Sequence, residues 1–176
     1  MTGIDETREF KPVRIALLTV SDTRSLADDT SGDILAQRIT DAGHTLAARH
    51  LLRDDIAAIT GQLRAWINDE TVDAIITTGG TGLTGRDVMP EALAMVADKD
   101  IPGFGELFRW LSFQTIGTST IQSRACAVLA GGTYIFALPG SRGAVKDGWD
   151  MILKYQLDSR HRPCNFVELM PRLKET

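Results

Sequence analysis

Val13–Val20 reads VRIALLTV, and no other stretch constrains the fold of this chain as strongly. A strand wetted on one side alternates apolar and polar residues. A strand that is apolar almost throughout is buried on both faces, as in a parallel sheet held between helices. Thr45–Leu52, Val72–Thr77 and Thr133–Leu138 (TYIFAL) predict three further strands. Helical patterns lie between them. Thr30-Ser31 precedes Ile34, Leu35, Ile39 and Ala42, and Gly43 closes that segment. Asp54 or Asp55 caps a second helix, whose Ile56, Ile59, Leu63 and Ile67 share one face. Pro90–Ala97 and Gly105–Phe113 read as helical pieces, with Gly117–Thr120 as a loop. Ile121, Ala125, Val128 and Leu129 read as a helix face ended by Gly131-Gly132, with Cys126 in its core. Ala144, Val145, Trp149, Ile152 and Leu153 mark the inner face of a last helix. Strands alternating with helices predict an α/β three-layer sandwich, a largely parallel sheet with helices on both faces.

The 176 residues suit a single domain, with residues 1–11 as a flexible leader and 12–176 as the folded unit. The tail from Arg160 reads as irregular. A net charge of −4 argues against a nucleic-acid surface. No apolar stretch approaches the roughly 18 residues that would span a bilayer. The polar start, MTGIDETREFKP, lacks the pattern of a signal peptide, so a cytoplasmic location is expected. Cys126 and Cys164 make neither a disulfide framework nor a zinc spacing, and the histidines share no ligand spacing.

The chemistry concentrates where strands end. Val72–Thr77 runs into Thr78 and Gly79-Gly80-Thr81-Gly82; Arg86-Asp87 follows, and Pro90-Glu91-Ala92-Leu93 opens a helix. Backbone N–H groups of a glycine loop approach an anion closely, and a helix N-terminus favours negative charge. No Lys-Ser or Lys-Thr pair follows the glycines, and G-x-G-x-x-G is absent, so neither common nucleotide fingerprint applies. Ligands of such sheets bind outside the carboxyl ends of the strands. Ser21-Asp22-Thr23 and Pro139-Gly140-Ser141 stand at two other strand ends, and Asp22 and Asp54 are placed to face the same edge as Asp87. Carboxylates repel a phosphate unless a metal lies between them, and Mg²⁺ takes one or two carboxylates plus phosphate oxygens. Gly117–Arg124 (GTSTIQSR) adds four hydroxyls and a guanidinium; a plain polar loop explains them equally well. Capping alone accounts for Ser31 and Ser141. No Ser–His–Asp or Cys–His arrangement is present, so positioning and metal electrostatics must carry any catalysis.

Several segments together resemble the MoaB/Mog family of molybdenum cofactor biosynthesis proteins, the MoaB branch in particular. They are TVSDTRS, DDTSGDIL, TTGGTGLTGRDVMPEA, FGELFRWLSFQTIGTSTIQSRA, IFALPGS and LDSRHRPCNF, spread over roughly residues 12–168. Arg86-Asp87-Val88 is Mog-like, although Met89 stands where Mog members commonly have Thr. The resemblance implies an α/β fold, a trimeric or hexameric homo-oligomer, and binding of molybdopterin. It also implies adenylylation of the molybdopterin phosphate with ATP and Mg²⁺, giving adenylyl-molybdopterin and pyrophosphate. By motif match Asp87 and Asp54 are the catalytic and Mg²⁺-binding acids, with Asp55 the neighbouring choice. Ser21, Asp22, Gly79, Gly80, Thr81 and Gly82 fall on the nucleotide side; Ser119, Ser123, Arg124, Pro139, Gly140 and Ser141 fall on the pterin side. A non-catalytic molybdopterin-binding or carrier protein of the same pathway is the rival reading.

Overall fold

The computed structural model describes residues 2–175. In chain order the strands are β1 (Gly3–Ile4), β2 (Arg14–Val20), β3 (Thr45–Leu52), β4 (Ala74–Thr78), β5 (Lys99–Asp100), β6 (Cys126–Ala130), β7 (Thr133–Leu138) and β8 (His161–Arg162). The helices are α1 (Thr30–Asp41), α2 (Ile56–Ile67), α3 (Met89–Ala94), α4 (Pro102–Ile116), α5 (Arg142–Gly148), α6 (Lys154–Gln156) and α7 (Phe166–Leu169). A π-helical segment, Trp149–Leu153, joins α5 to α6. Among the described residues no helix is long and apolar enough to cross a membrane.

Six strands form one mixed sheet in the order β3-β2-β4-β7-β6-β5. β3, β2, β4 and β7 run parallel; β6 alone reverses direction, antiparallel to β7, and the edge strand β5 is in turn antiparallel to β6. The side-chain alternation of the strands sorts the core into two layers. Ile15, Leu17, Ile76, Phe136 and Leu138 face Leu35, Ile39, Phe104, Val145 and Trp149, which come from α1, α4 and the α5 region. Ala16, Leu18, Ile75, Ile135 and Ala137 face Ile59, Leu63, Met89 and Leu93 of α2 and α3. Both faces of the central strands are therefore dry, as VRIALLTV requires.

Three expectations change. The 121–129 segment is not a helix. Ile121 is 82% exposed, and Cys126–Ala130 is a strand antiparallel to β7. A short apolar run has no periodicity that separates strand from helix. The deciding signal was Gly131-Gly132. Ala130 pairs with Thr133, so the two glycines form a two-residue hairpin loop, with φ of +58° and +86°. Positive φ at both positions is the geometry that matches strand twist, and glycine adopts it without strain. Cys126 accordingly sits on a strand, where burial pushes its thiol up to about 11.

The leader is tied down. Gly3–Ile4 pairs with His161–Arg162, the Asp5 amide donates to the Arg160 carbonyl, and the Lys11 amide donates to Ser159 Oγ at 2.8 Å. Residues 1–11 looked frayed because the strand that pairs with Gly3–Ile4 is His161–Arg162, near the other end of the sequence and out of reach of any local pattern. The same pairing gives order to the tail after Arg160. The cap of α2 is Asp55, whose carboxylate accepts the Ala58 amide at 2.7 Å. That leaves Asp54 free for another role.

One buried group escaped the sequence reading. Asp29, fully buried, caps α1 by accepting the Gly32 amide at 2.9 Å and also receives Thr19 Oγ1 and Arg49 Nη2. Burial works to raise its pKa, but the hydrogen bonds from Thr19, Arg49 and Gly32 prevail and hold it below the ordinary 3.8. A carboxyl depressed in the folded state stabilises the fold above its unfolded pKa, and that contribution is lost as pH falls through the folded value. Asp29→Ala should cost about 2 kcal/mol near neutral pH, because it removes a cap and a buried acceptor of Thr19 and leaves Arg49 with Asp33 as its one carboxylate partner. Denaturant titrations of both proteins should show the gap narrowing below about pH 4. A gap of the same size at pH 7 and pH 3 would contradict this role for the charge.

Candidate functional site

The cleft lies at the carboxyl ends of β2, β4 and β7, where three loops meet. Gly79 decides their spacing. Its φ is +96°, and a Cβ there would stand 2.1 Å from the Val20 carbonyl oxygen. Its amide donates to the Leu138 carbonyl at 3.0 Å, and Thr78 Oγ1 donates to the Pro139 carbonyl at 3.1 Å. The glycine loop thus lies against the ends of both neighbouring strands. A Cβ at Gly80 would come within 2.9 Å of Asp54 Oδ1, so that glycine lets the acid reach the loop.

The loop closes on its own acid. Asp87 Oδ2 accepts the Thr84 amide at 2.9 Å and the Thr84 hydroxyl, and packs against Gly82. Burial tends to raise the Asp87 pKa. The Thr84 hydrogen bonds outweigh it, with the Gly82 amide and the Arg124 charge adding to the effect, so the carboxyl lies below its ordinary range. Asp87 is a fixed anion.

Asp54 is the opposite case. Burial and then the charges of Asp22 and Asp87 push its carboxyl up, against a smaller pull from Arg86. Its Oδ1 is buried with no hydrogen-bond partner. Its amide donates to Asp22 Oδ1 at 3.3 Å, and Asp22 Oδ2 pairs with Arg86 at 3.0 Å. An orphaned carboxylate oxygen facing two like charges is a position that a cation would relieve. Among the described residues no three His, Cys, Asp or Glu side chains gather into a metal cage. Any ion here would take ligands from elsewhere as well.

Two hollows share one wall. The larger, about 480 Å³, runs from the glycine loop under α4 to α5. The smaller, about 420 Å³, is lined by Ser21, Asp22, Asp54 and Arg86. Gly80, Asp87, Gly140 and Ser141 border both. The residues predicted for the nucleotide side thus divide between the hollows. Ser21 and Asp22 line the smaller, Thr81 and Gly82 the larger, and Gly79 faces the larger alone.

The predicted pterin side divides as well. Ser123, Pro139, Gly140 and Ser141 line the larger hollow. Ser119 is exposed on the turn Gly117–Gln122 and does not. Arg124 faces the loop backbone instead: Nε donates to the Gly82 carbonyl and Nη2 to the Asp87 carbonyl, both at 2.8 Å, while Nη1 pairs with Glu91. It is a clamp on the glycine loop. The sequence reading passed over Phe108, Ser112, Thr115 and Ile116 of α4 and Asp147 of α5, all of which line the larger hollow. The spacing of 108, 112, 115 and 116 puts two hydroxyls into an apolar helix stripe, which was the available signal.

Known proteins resemble this chain over most of its length. Residues 16–159 match the family described as "Probable molybdopterin binding domain". Molybdenum cofactor biosynthesis protein B of Escherichia coli (strain K12) is 49% identical over 167 residues, covering 95% of this chain and 96% of that one. The Staphylococcus epidermidis protein of the same name is 42% identical, covering 84% of this chain and 86% of its own length. A crystal structure of molybdenum cofactor biosynthesis protein B superposes with a TM-score of 0.85 at 35% identity, over 96% of this chain and all 100% of that one. The tungsten cofactor synthesizing protein MoaB from Pyrococcus furiosus gives 0.73 at 31% identity, over 81% and 91%. Matched by that family over most of its length, and by such relatives nearly end to end, the chain belongs to the MoaB/Mog family of molybdenum cofactor biosynthesis proteins.

Proposed function

We propose that this chain binds molybdopterin in the larger hollow and joins it to AMP taken from ATP, acting in the cytoplasm as a molybdopterin adenylyltransferase. The observation that carries this reading is the shared wall. Two ligands lying in the two hollows would meet at Gly80, Asp87, Gly140 and Ser141. The family match supplies molybdopterin as one ligand. The acidic smaller hollow, with its unsatisfied Asp54 oxygen, suits a metal-bound nucleotide as the other.

In this reaction an oxygen of the terminal molybdopterin phosphate attacks the α-phosphorus of ATP. The bond from that phosphorus to the bridging oxygen breaks, and pyrophosphate leaves. The chain's part is to position and to balance charge. The loop Gly79–Gly82 brings backbone beside the phosphates, and Thr81 lines the same wall. Asp87, pinned by Thr84 and kept ionised, holds one side of the junction. Asp54 and Asp87 fit Mg²⁺ as carboxylate ligands, and Mg²⁺ bound there would draw negative charge from the phosphates.

Homo-oligomerisation belongs to the same reading. Trp110, Phe113 and Ile121 are 63%, 55% and 82% exposed along α4 and the turn after it. Large apolar side chains exposed on one helix and the turn after it suit a surface that another chain covers.

Two outcomes are expected. Asp87→Asn should reduce AMP transfer by at least about a thousandfold while leaving the circular dichroism spectrum and molybdopterin affinity nearly unchanged. The measurement is adenylyl-molybdopterin and pyrophosphate formed from purified protein, molybdopterin and MgATP. Tight molybdopterin binding by the unaltered protein without pyrophosphate release would favour the carrier reading. Trp110→Glu should shift the sedimentation coefficient to a smaller species; an unchanged value would place the subunit contact elsewhere.

A further inference from the structure

The larger hollow is bordered by two carboxylates, and the protein itself satisfies only one. Asp87 is taken up by Thr84 and the Gly82 edge of the loop. Asp147 borders the hollow from α5, and among the described residues its carboxylate receives no hydrogen bond and forms no ion pair. The basic side chains nearest in sequence give it no partner: Arg142 and Lys146 lie more than 4.0 Å from it. The walls of that hollow combine apolar and hydroxyl side chains. Phe108, Ile116 and Leu83 make them apolar, and Ser112 and Thr115 add hydroxyls from α4.

A carboxylate only accepts hydrogen bonds, and two parallel N–H groups satisfy both its oxygens at once. An occupant that is flat and apolar on its faces, with two neighbouring donors on one edge, would satisfy both the walls and the carboxylate. The 2-amino group and N3–H of a 2-amino-4-oxopteridine form that edge. Adenine does not match: its Watson–Crick edge places an acceptor next to the exocyclic amine, and the acceptor would be repelled. We propose that Asp147 is the specificity residue of the larger hollow, reading the 2-amino/N3–H edge of the pterin ring. This rests on the assignment of molybdopterin to that hollow and adds the residue that recognises it. The ring end then lies toward α5, and the phosphate end toward the glycine loop and Asp87.

The chemistry yields a test that a merely structural role would not pass. Asn is nearly the same size as Asp but presents one acceptor and one donor. It matches lumazine, in which oxygen replaces the 2-amino group. Molybdopterin binding is measured first for the unaltered protein and for Asp147→Asn. Pterin, lumazine and guanosine are then measured as competitors of bound molybdopterin. The unaltered protein should favour pterin over lumazine. Asp147→Asn should weaken molybdopterin about tenfold to hundredfold and reverse the preference to lumazine. A substitution that only damages packing would weaken both pteridines alike. Equal molybdopterin affinity in the two proteins overturns the proposal, as does an unaltered protein that favours neither pteridine. Guanosine shares the donor edge, and tighter competition by guanosine than by pterin would overturn the ligand assigned to it. Failure of the unaltered protein to bind molybdopterin at all is a separate result, and it defeats the functional reading rather than the role of Asp147 within it.

Discussion

At Gly79 one backbone lies directly against another, and the site depends on that approach. No residue with a Cβ fits 2.1 Å from the Val20 carbonyl, and φ of +96° would strain any side chain. Because β2, β4 and β7 are parallel neighbours, their carboxyl ends come out on one edge. The hydrogen bonds from Gly79 to Leu138 and from Thr78 to Pro139 then hold the loops together rather than letting them splay. Parallel topology explains why three loops far apart in sequence share a cleft. The missing side chain at Gly79 explains why they touch.

With the loops fixed, charge divides the labour between two acids. Asp87 is surrounded by donors and lies below the ordinary carboxylate range. Asp54 has buried surroundings, like charges nearby and an oxygen with no partner, and lies above it. The same residue type thus appears once as a settled anion and once as an anion in want of a cation. Arg86 compensates only part of the excess, because its paired partner is Asp22 and most of its side chain is exposed. A carboxyl displaced by burial and like charges, with an oxygen left unpartnered, is the kind of group that gathers at functional sites.

What could be read from the sequence follows how local each cause is. The extent of Thr45–Leu52, the helix after Thr30 and the placement of Ser21, Gly79, Asp87 and Pro139 at strand ends all follow from short-range pattern and turn chemistry. The choice between Asp54 and Asp55 as cap does not, since either residue could accept the amide and only the backbone path selects Asp55. Pairing of Gly3–Ile4 with His161–Arg162 joins the two ends of the chain and leaves no periodic trace. Asp29 is hidden for a related reason. In sequence it is one of two adjacent aspartates ahead of a helix, and its burial depends on Thr19 and Arg49 from two strands. Arg124 was found as a residue of interest, but its duty as a clamp appears only once its backbone partners are in place.

The strand reversal at β6 shows how one misread element changes the picture of a site. In the sheet, β6 runs antiparallel to β7, with Cys126 opposite Ala137. The start of β6 therefore lies at the same edge as the end of β7, and the residue just before it is delivered to the cleft. Arg124 arrives there with a donor for Gly82 and another for Asp87, both as backbone carbonyls, and its own amide donates to the Thr81 carbonyl at 3.2 Å. A parallel strand in that place would have put this residue at the far end of the sheet. The Gly131-Gly132 hairpin is thus a distant support of the glycine loop: by turning the chain back it brings a guanidinium to the carbonyls that must stay ordered for Gly82 and Asp87 to face the hollow.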